Sequence, residues 1–349
     1  MSMEPVDALR RIAFLLERSR ASTYRVKAYR EAATTLLAIP EERVRELVTA
    51  GDLKSISGIG SSTAEVIEQA VTGQVPEKLR ELEASAGGPL ATGGEEIRAA
   101  LNGDLHSHSD WSDGGSPIQE MVAAAMEIGH EYLALTDHSP RLTVANGLTA
   151  QRLTKQLGVV DAINEALNAR APGDSADFTL LKAIEVDIVD DGSLDQSGRL
   201  LDALDIRVAS VHSKLKMDSP SMTRRMIAAV TLPHTNVLGH CTGRLVEGSR
   251  GKRGQSTFDA RAVFEACRDN DTAVEINSRP ERCDPPDELV TLAIDIGCLF
   301  SIDTDAHAPG QLDFQAYGCE RAQRLGVPQE RVVNTWPLPD LLDWANPQR

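Results

Sequence analysis

The chain has 349 residues, of which 41% are hydrophobic and 25% charged, a composition that folds and excludes wholesale disorder. The net charge of −16 excludes a general basic coat for nucleic acid. That charge is unevenly spread: residues 1–85 carry 12 Lys and Arg against 13 Asp and Glu, whereas the rest carries 24 against 39. Five scattered cysteines with no C-x-x-C spacing give neither a disulfide framework nor a thiolate zinc site, so reduced cytoplasm is the expected setting. With no apolar leader and no run of about 18 apolar residues, neither a signal peptide nor a membrane span is expected.

From Val6 to Leu82 apolar residues recur at helical spacing, among them Val6, Leu9, Ala13 and Leu16, then Tyr29, Ala32, Ala33 and Leu36. Residues 1–85 are therefore predicted as an all-α domain. Within it, Gly58 and Gly60 separate two short helical patterns, which reads as helix, tight turn, helix. Residues 86–99, rich in Gly, Ala and Pro, are predicted as a linker.

Beyond the linker, over 100–345, short apolar runs alternate with helical stretches: EYLALTDH, LLKAIEVDI, IRVASVHS, NVLGH, TAVEIN and CLFSIDTD each read as a buried strand. The intervening helices include Pro117–Ile128, with Ser116 as its expected cap. Such alternation predicts an α/β fold, either a parallel barrel or a doubly wound sheet.

Six of the eight histidines fall at the ends of these strands: His106, His108, His138, His212, His240 and His307. The carboxyl ends of strands form the mouth of an α/β fold, and residues two apart share a face, so the strands aim imidazoles and carboxylates at one point. His130 and His234 are left over and read as ordinary structural residues. Imidazole and carboxylate without thiolate suit Zn, Mn or Fe. Nine candidate ligands, the six histidines with Asp113, Glu185 and Asp305, are too many for one ion and imply two or three divalent metals. Paired ions suit phosphoester hydrolysis most naturally, with amide or amidine hydrolysis as the other possibility.

The motifs DLHSHSDWSDG (Asp104–Gly114), LTDHS (Leu135–Ser139), EVDI (Glu185–Ile188), SVHS (Ser210–Ser213), GHCTGR (Gly239–Arg244), VEINSRPER (Val274–Arg282) and DTDAH (Asp303–His307) resemble, in order, those of the polymerase and histidinol phosphatase (PHP) superfamily. The resemblance implies a distorted (β/α)7 barrel with a trinuclear site. Carried over, it puts His106, His108, Glu185 and Asp305 on a first metal, Asp113, His138 and His307 on a second, and His212 and His240 on a third that shares Glu185. Asp104 and Asp303 become hydrogen-bond acceptors behind the ligands. Arg244 and Arg282, then Lys214, Arg279 and Arg250, are candidates for holding the substrate phosphate. Where relatives often read H-P-T-G-R this chain has Cys241 after His240, a small buried residue or a redox-sensitive thiol, and Lys214-Leu215 replaces an expected aromatic.

The first domain resembles the N-terminal helical domain of family X DNA polymerases, with a helix-hairpin-helix at Gly58, Ile59, Gly60 and Ser61. There the glycines let backbone N–H groups approach a DNA phosphate, and Arg18, Arg20, Arg25, Lys27 and Arg30 form the basic side. Bacterial relatives place palm and thumb domains between these two parts, needing about 100 residues or more. The short linker therefore argues against polymerase activity. The helix SSTAEVIEQAV carries Val66 where lyase-active members have a lysine, which argues against lyase activity. The leading expectation is a metal-dependent phosphoesterase at DNA ends, a 3′–5′ exonuclease or 3′-phosphatase. A histidinol-phosphatase-like enzyme and a non-catalytic DNA-binding or assembly module are the alternatives.

Overall fold

The computed structural model describes residues 3–169, 178–248 and 251–346. The chain divides into two compact units, one reaching to Pro89 and the other beginning at Leu90, with Ala308–Gln311 grouped with the first.

The first unit contains five helices: α1 (Pro5–Arg18), α2 (Thr23–Leu37), α3 (Glu41–Ala50), α4 (Ser61–Val71) and α5 (Glu77–Ala86). The apolar stripe of α1, with Leu9, Ile12, Ala13 and Leu16 fully buried, packs against α2, α4 and α5. Between α3 and α4 a short 3₁₀ turn at Leu53–Ser55 leads into the expected hairpin. Gly58 takes φ +88° there, a left-handed conformation that side chains resist. At the start of α4, the Gly60 N–H donates to Thr63 Oγ1 at 3.0 Å, while Gly60 and Ser61 stay exposed and Ile59 is buried.

The second unit is a parallel barrel whose seven strands lie in sequence order: β1 (Gly103–Ser107), β2 (Tyr132–Leu135), β3 (Thr179–Asp187), β4 (Ile206–Ser210), β5 (Val237–Leu238), β6 (Ala273–Asn277) and β7 (Phe300–Asp303). Helices follow the strands, and several start on a capping side chain. Thr149 accepts from Arg152 N, Asp218 from Ser221 N and Asp259 from Ala262 N. One apolar cluster fills the interior with Leu105, Tyr132, Ala183, Val208, Val237 and Ala273. A larger one, including Met222, Met226, Phe264 and Phe300, lies between strands and helices. Along β3 and β6 the inward face passes from Ala183 to Glu185 and from Ala273 to Glu275, so the interior turns from apolar to polar toward the carboxyl ends.

Two segments differ from the sequence expectation. The second half of the expected linker is a helix, α6 (Glu95–Ala100), whose Ile97 joins the outer core. The helix expected from Pro117 runs over Ile118–Glu127. Pro117, at ψ 157°, is extended and takes the cap position itself, leaving Ser116 Oγ buried without a hydrogen-bond partner.

The barrel closes where β1 meets β7, and side chains do most of the joining. Backbone contributes the His108 N–H to the Ala306 carbonyl at 2.7 Å. Asp303 Oδ1 accepts from Leu105 N at 2.9 Å, and Asp104 accepts from Thr304 Oγ1 at 2.5 Å. Asn334, fully buried, accepts from Ile302 N at 2.7 Å and donates to Asp303 Oδ1 at 2.8 Å and toward the Gly103 carbonyl at 3.2 Å. Gln315 Nε2 bridges the Gly103 and Ile302 carbonyls at 3.0 Å each. Removing the Asn334 amide strands at least one buried N–H. Asn334→Ala is thus expected to cost about 1–3 kcal/mol in denaturant unfolding, and an unchanged midpoint would show the seam to be held otherwise.

Candidate metal centre

Glu185, near the carboxyl end of β3 at the barrel mouth, is completely buried. Its Oε2 lies 3.4 Å from His106 Nε2, 3.6 Å from His108 Nε2 and 2.8 Å from His138 Nδ1. Its Oε1 lies 3.1 Å from His212 Nε2 and 2.8 Å from His240 Nε2. Neither oxygen has hydrogen-bond geometry with any partner, and His106 Nε2, His108 Nε2, His212 Nε2 and His240 Nε2 are likewise buried and unpartnered. Buried polar atoms are rarely left so, and a cage of lone pairs around one carboxylate fits cations.

The other expected ligands join this cage. Asp113 Oδ1 stands 3.4 Å from both His138 Nε2 and His307 Nε2, and Asp305 Oδ1 stands 3.3 Å from His108 Nε2. Three overlapping groups have donor atoms close enough to share an ion: His108, Asp113, His138 and His307; His106, His108 and Glu185; His138, Glu185 and His212. These groups share members, so His108 and His138 sit between sites that the motif resemblance keeps apart. His130, bonded to Gln315, and His234, bonded to Asp202, lie outside all three groups.

Burial drives the electrostatics, and the local partners decide its sign. Burial, with His307 and His138 beside it, takes the His108 pKa down to about 3, and burial with Arg282 nearby takes His240 to about 4. Burial also opposes a charge on His138, but Glu185 and Asp113 outweigh it and lift its pKa to about 10. His106 is likewise raised despite burial, by Glu275 and Glu185. Burial would raise the Glu185 carboxyl, yet His212, His138 and His106 hold it well below the usual range. Protons on imidazoles thus balance the carboxylates, and a cation entering the cage displaces them.

Two carboxylates with no assigned role in the sequence reading turn out to orient imidazoles. Glu275 Oε1 lies 2.6 Å from His106 Nδ1, and its Oε2 accepts the His240 N–H. Asp187 Oδ1 lies 3.3 Å from His212 Nδ1 and accepts His212 N at 3.1 Å. Each leaves Nε2 facing Glu185. The signal was present, since Glu275 and Asp187 lie inside the quoted VEIN and EVDI motifs, but partner identity depends on strand neighbours that spacing does not show. A third helper is the Asp305 carbonyl, 2.8 Å from His307 Nδ1, in a residue with φ +52°.

The expected phosphate-binding residues fall in different places. Arg282 is buried and spends its Nε on Asp305 Oδ2 at 2.9 Å. Lys214 is paired with Asp190 at the surface. Arg279 reaches the Asp305 carbonyl and His307 Nδ1 at 3.0 and 2.8 Å. Arg244 donates from Nε to the Arg282 carbonyl at 3.2 Å, and its guanidinium meets no carboxylate among the described residues. Arg250 lies outside the described residues. Cys241 is buried, and burial pushes its thiol well up, so it is held protonated.

Residues 104–279 match the PHP domain, and residues 3–75 match a helix-hairpin-helix domain. This chain belongs to the PHP domain family. It is 37% identical over 241 residues to the DNA polymerase/3′-5′ exonuclease PolX of Bacillus subtilis, covering 69% of this chain and 40% of that protein. The chain thus spans about two fifths of that relative's length. It is 25% identical over 247 residues to the probable phosphatase YcdX of Escherichia coli, covering 67% of this chain and 90% of that protein. A histidinol phosphate phosphatase structure from Lactococcus lactis, complexed with zinc, L-histidinol and phosphate, aligns with TM-score 0.42 and 16% identity, covering 64% of this chain and 92% of that one.

If Glu275 keeps His106 in the orientation a PHP metal site needs, Glu275→Ala should lower metal content or affinity about 10–100-fold while the chain remains folded. Elemental analysis beside circular dichroism measures this, and full metal retention would remove Glu275 from that role.

Proposed function

We propose that this PHP protein is a metal-dependent phosphoesterase that hydrolyses phosphate esters at DNA ends, as a 3′–5′ exonuclease or 3′-phosphatase. The observation that carries the reading is Glu185, whose two buried, unpartnered oxygens face five imidazoles. On this reading His106, His108, Glu185 and Asp305 hold one ion; Asp113, His138 and His307 hold a second; His212, His240 and Glu185 hold a third. Zinc, manganese or iron bound there supplies Lewis acidity and lowers the pKa of water in the cage.

The chain's own groups set the geometry. His307 Nδ1 is held between Arg279 Nη1 and the Asp305 carbonyl, 2.8 Å from each, which turns Nε2 toward Asp113. Arg282 holds the Asp305 carboxylate in place and keeps it ionised: burial alone would raise its pKa, but the guanidinium holds it well below the usual range. Arg279, at the rim of the cage, is the donor best placed to orient a phosphate oxygen and to stabilise the charge it gains as the ester bond breaks.

The first unit is the DNA grip. Its helix-hairpin-helix exposes the amino end of α4 at Gly60 and Ser61, beside a cavity of about 530 Å³ that Tyr24, Arg25 and Lys78 also line. Tyr24 is 84% exposed, an aromatic face available to a base. Of the expected basic side, Arg25 and Lys27 are exposed, whereas Arg30 pairs with Glu17 at 2.8 Å and Arg18 donates to the Ala86 and Gly88 carbonyls. The likeness to the B. subtilis relative, an exonuclease by name, supports a DNA substrate over a small phosphomonoester. Between α5 and α6 only residues 87–94 intervene, too few for a polymerase domain.

The deciding experiment compares metal-loaded protein on 3′-labelled DNA, histidinol phosphate and an aryl phosphate. Release of labelled product from DNA at the highest kcat/KM is expected, and preference for histidinol phosphate would overturn the DNA-end reading. His138→Ala and Asp305→Ala should each lower hydrolysis by about 10³-fold or more, the scale seen when a metal-activated step is lost; near-full activity in either would reject the ligand assignment.

A further inference from the structure

Beside the metal cage the barrel carries a cavity of about 590 Å³, most of whose walls lie outside the hydrolytic site just described. Arg244, Asn277, Arg279, Tyr317, Arg321 and Arg324 line it. Asn277 and Arg279 belong to both spaces. Asn277 Nδ2 contacts Glu275 Oε2 at 3.2 Å and Asp305 Oδ2 at 3.4 Å, and Arg279 contacts His307. The cavity is therefore continuous in its lining with the place where a scissile phosphate would sit.

Its four arginines are matched in number by four carboxylates, Glu247, Asp287, Glu288 and Glu320, but the pairing is uneven: Arg324 pairs with Asp287 at 2.8 Å and Glu320 at 2.9 Å. Arg321, with its side chain 8% exposed, gives Nε and Nη2 to Asp287 and Nη2 also to the Pro285 carbonyl, yet its Nη1 is buried with no hydrogen-bond partner. The Arg244 side chain has a single carbonyl contact and no carboxylate partner among the described residues, its backbone N–H alone going to Asp284 Oδ2. A buried guanidinium nitrogen without an acceptor costs free energy that a phosphate oxygen would recover. Tyr317 adds an aromatic wall, suited to a base.

We infer that this cavity binds the phosphodiester that flanks the scissile phosphate on a DNA strand, with Arg244 and Arg321 as its donors and Tyr317 against the adjoining nucleoside. The inference rests on the phosphoesterase reading and deepens it: the enzyme selects a strand end over a lone phosphomonoester because the strand brings a second phosphate. Arg244, suggested by its motif as a ligand of the reacting phosphate, serves the neighbouring one instead.

The test uses the full-length, metal-loaded protein and two short oligothymidylates with identical 3′ ends. One has an ordinary phosphodiester next to the reacting position, and the other has a neutral methylphosphonate there. The ordinary strand is expected to show kcat/KM higher by roughly ten- to a hundredfold, and Arg244→Ala and Arg321→Ala are expected to bring that ratio close to one. Thermal melting of each variant accompanies the assay; if Arg321→Ala does not fold, the wild-type ratio and Arg244→Ala still decide. Equal rates on the two strands with wild type, or an undiminished ratio in a folded Arg244→Ala protein, would overturn the flanking-phosphate site alone. No hydrolysis of either strand would overturn it together with the phosphoesterase reading beneath it.

Discussion

A carboxylate sealed inside protein and left without a hydrogen bond is among the most unfavourable groups a fold can carry. Glu185 is such a group, and the barrel mouth is organised around its compensation. Five imidazoles from four strand ends converge on it, and two of them, His106 and His212, are backed by Glu275 and Asp187. Raised proton affinity at His106 and His138 offsets the negative charge. The crowding of lone pairs that raises it also makes the cage receptive to metal.

The scaffold explains how residues some two hundred positions apart can meet within a few ångströms. A parallel barrel with strands in sequence order delivers every strand end to one rim, and each crossover helix hides its strand from water. The apolar interior cluster then acts as a floor beneath the polar layer, so the ligands have packed neighbours below and open space only above. Rigid support of this kind limits how far each imidazole can swing.

Much of this was legible in the chain. Six strand-end histidines, with carboxylates on the same strand ends, point to a common mouth because side-chain direction alternates along a strand. The six apolar runs, the helical first domain and the Gly58–Gly60 hairpin follow from periodicity and turn chemistry in the same way. What could not be read were relations between strands. Spacing does not show that Glu275 faces His106, that Lys214 is consumed by Asp190, or that Arg282 supports Asp305. Helix α6 escaped for another reason: its Gly-rich surroundings resemble a linker, and only Ile97 docking into the outer core makes it a helix.

The join between the first and last strands has a consequence for biosynthesis. Asn334 and Gln315 stitch β1 to β7 from a position beyond every candidate ligand, so a nascent chain displays His106, His108 and His138 on the ribosome long before the closing partners emerge. Strand closure therefore waits on side chains made after every histidine of the cage, so the early imidazoles depend on residues some two hundred positions downstream for their final placement.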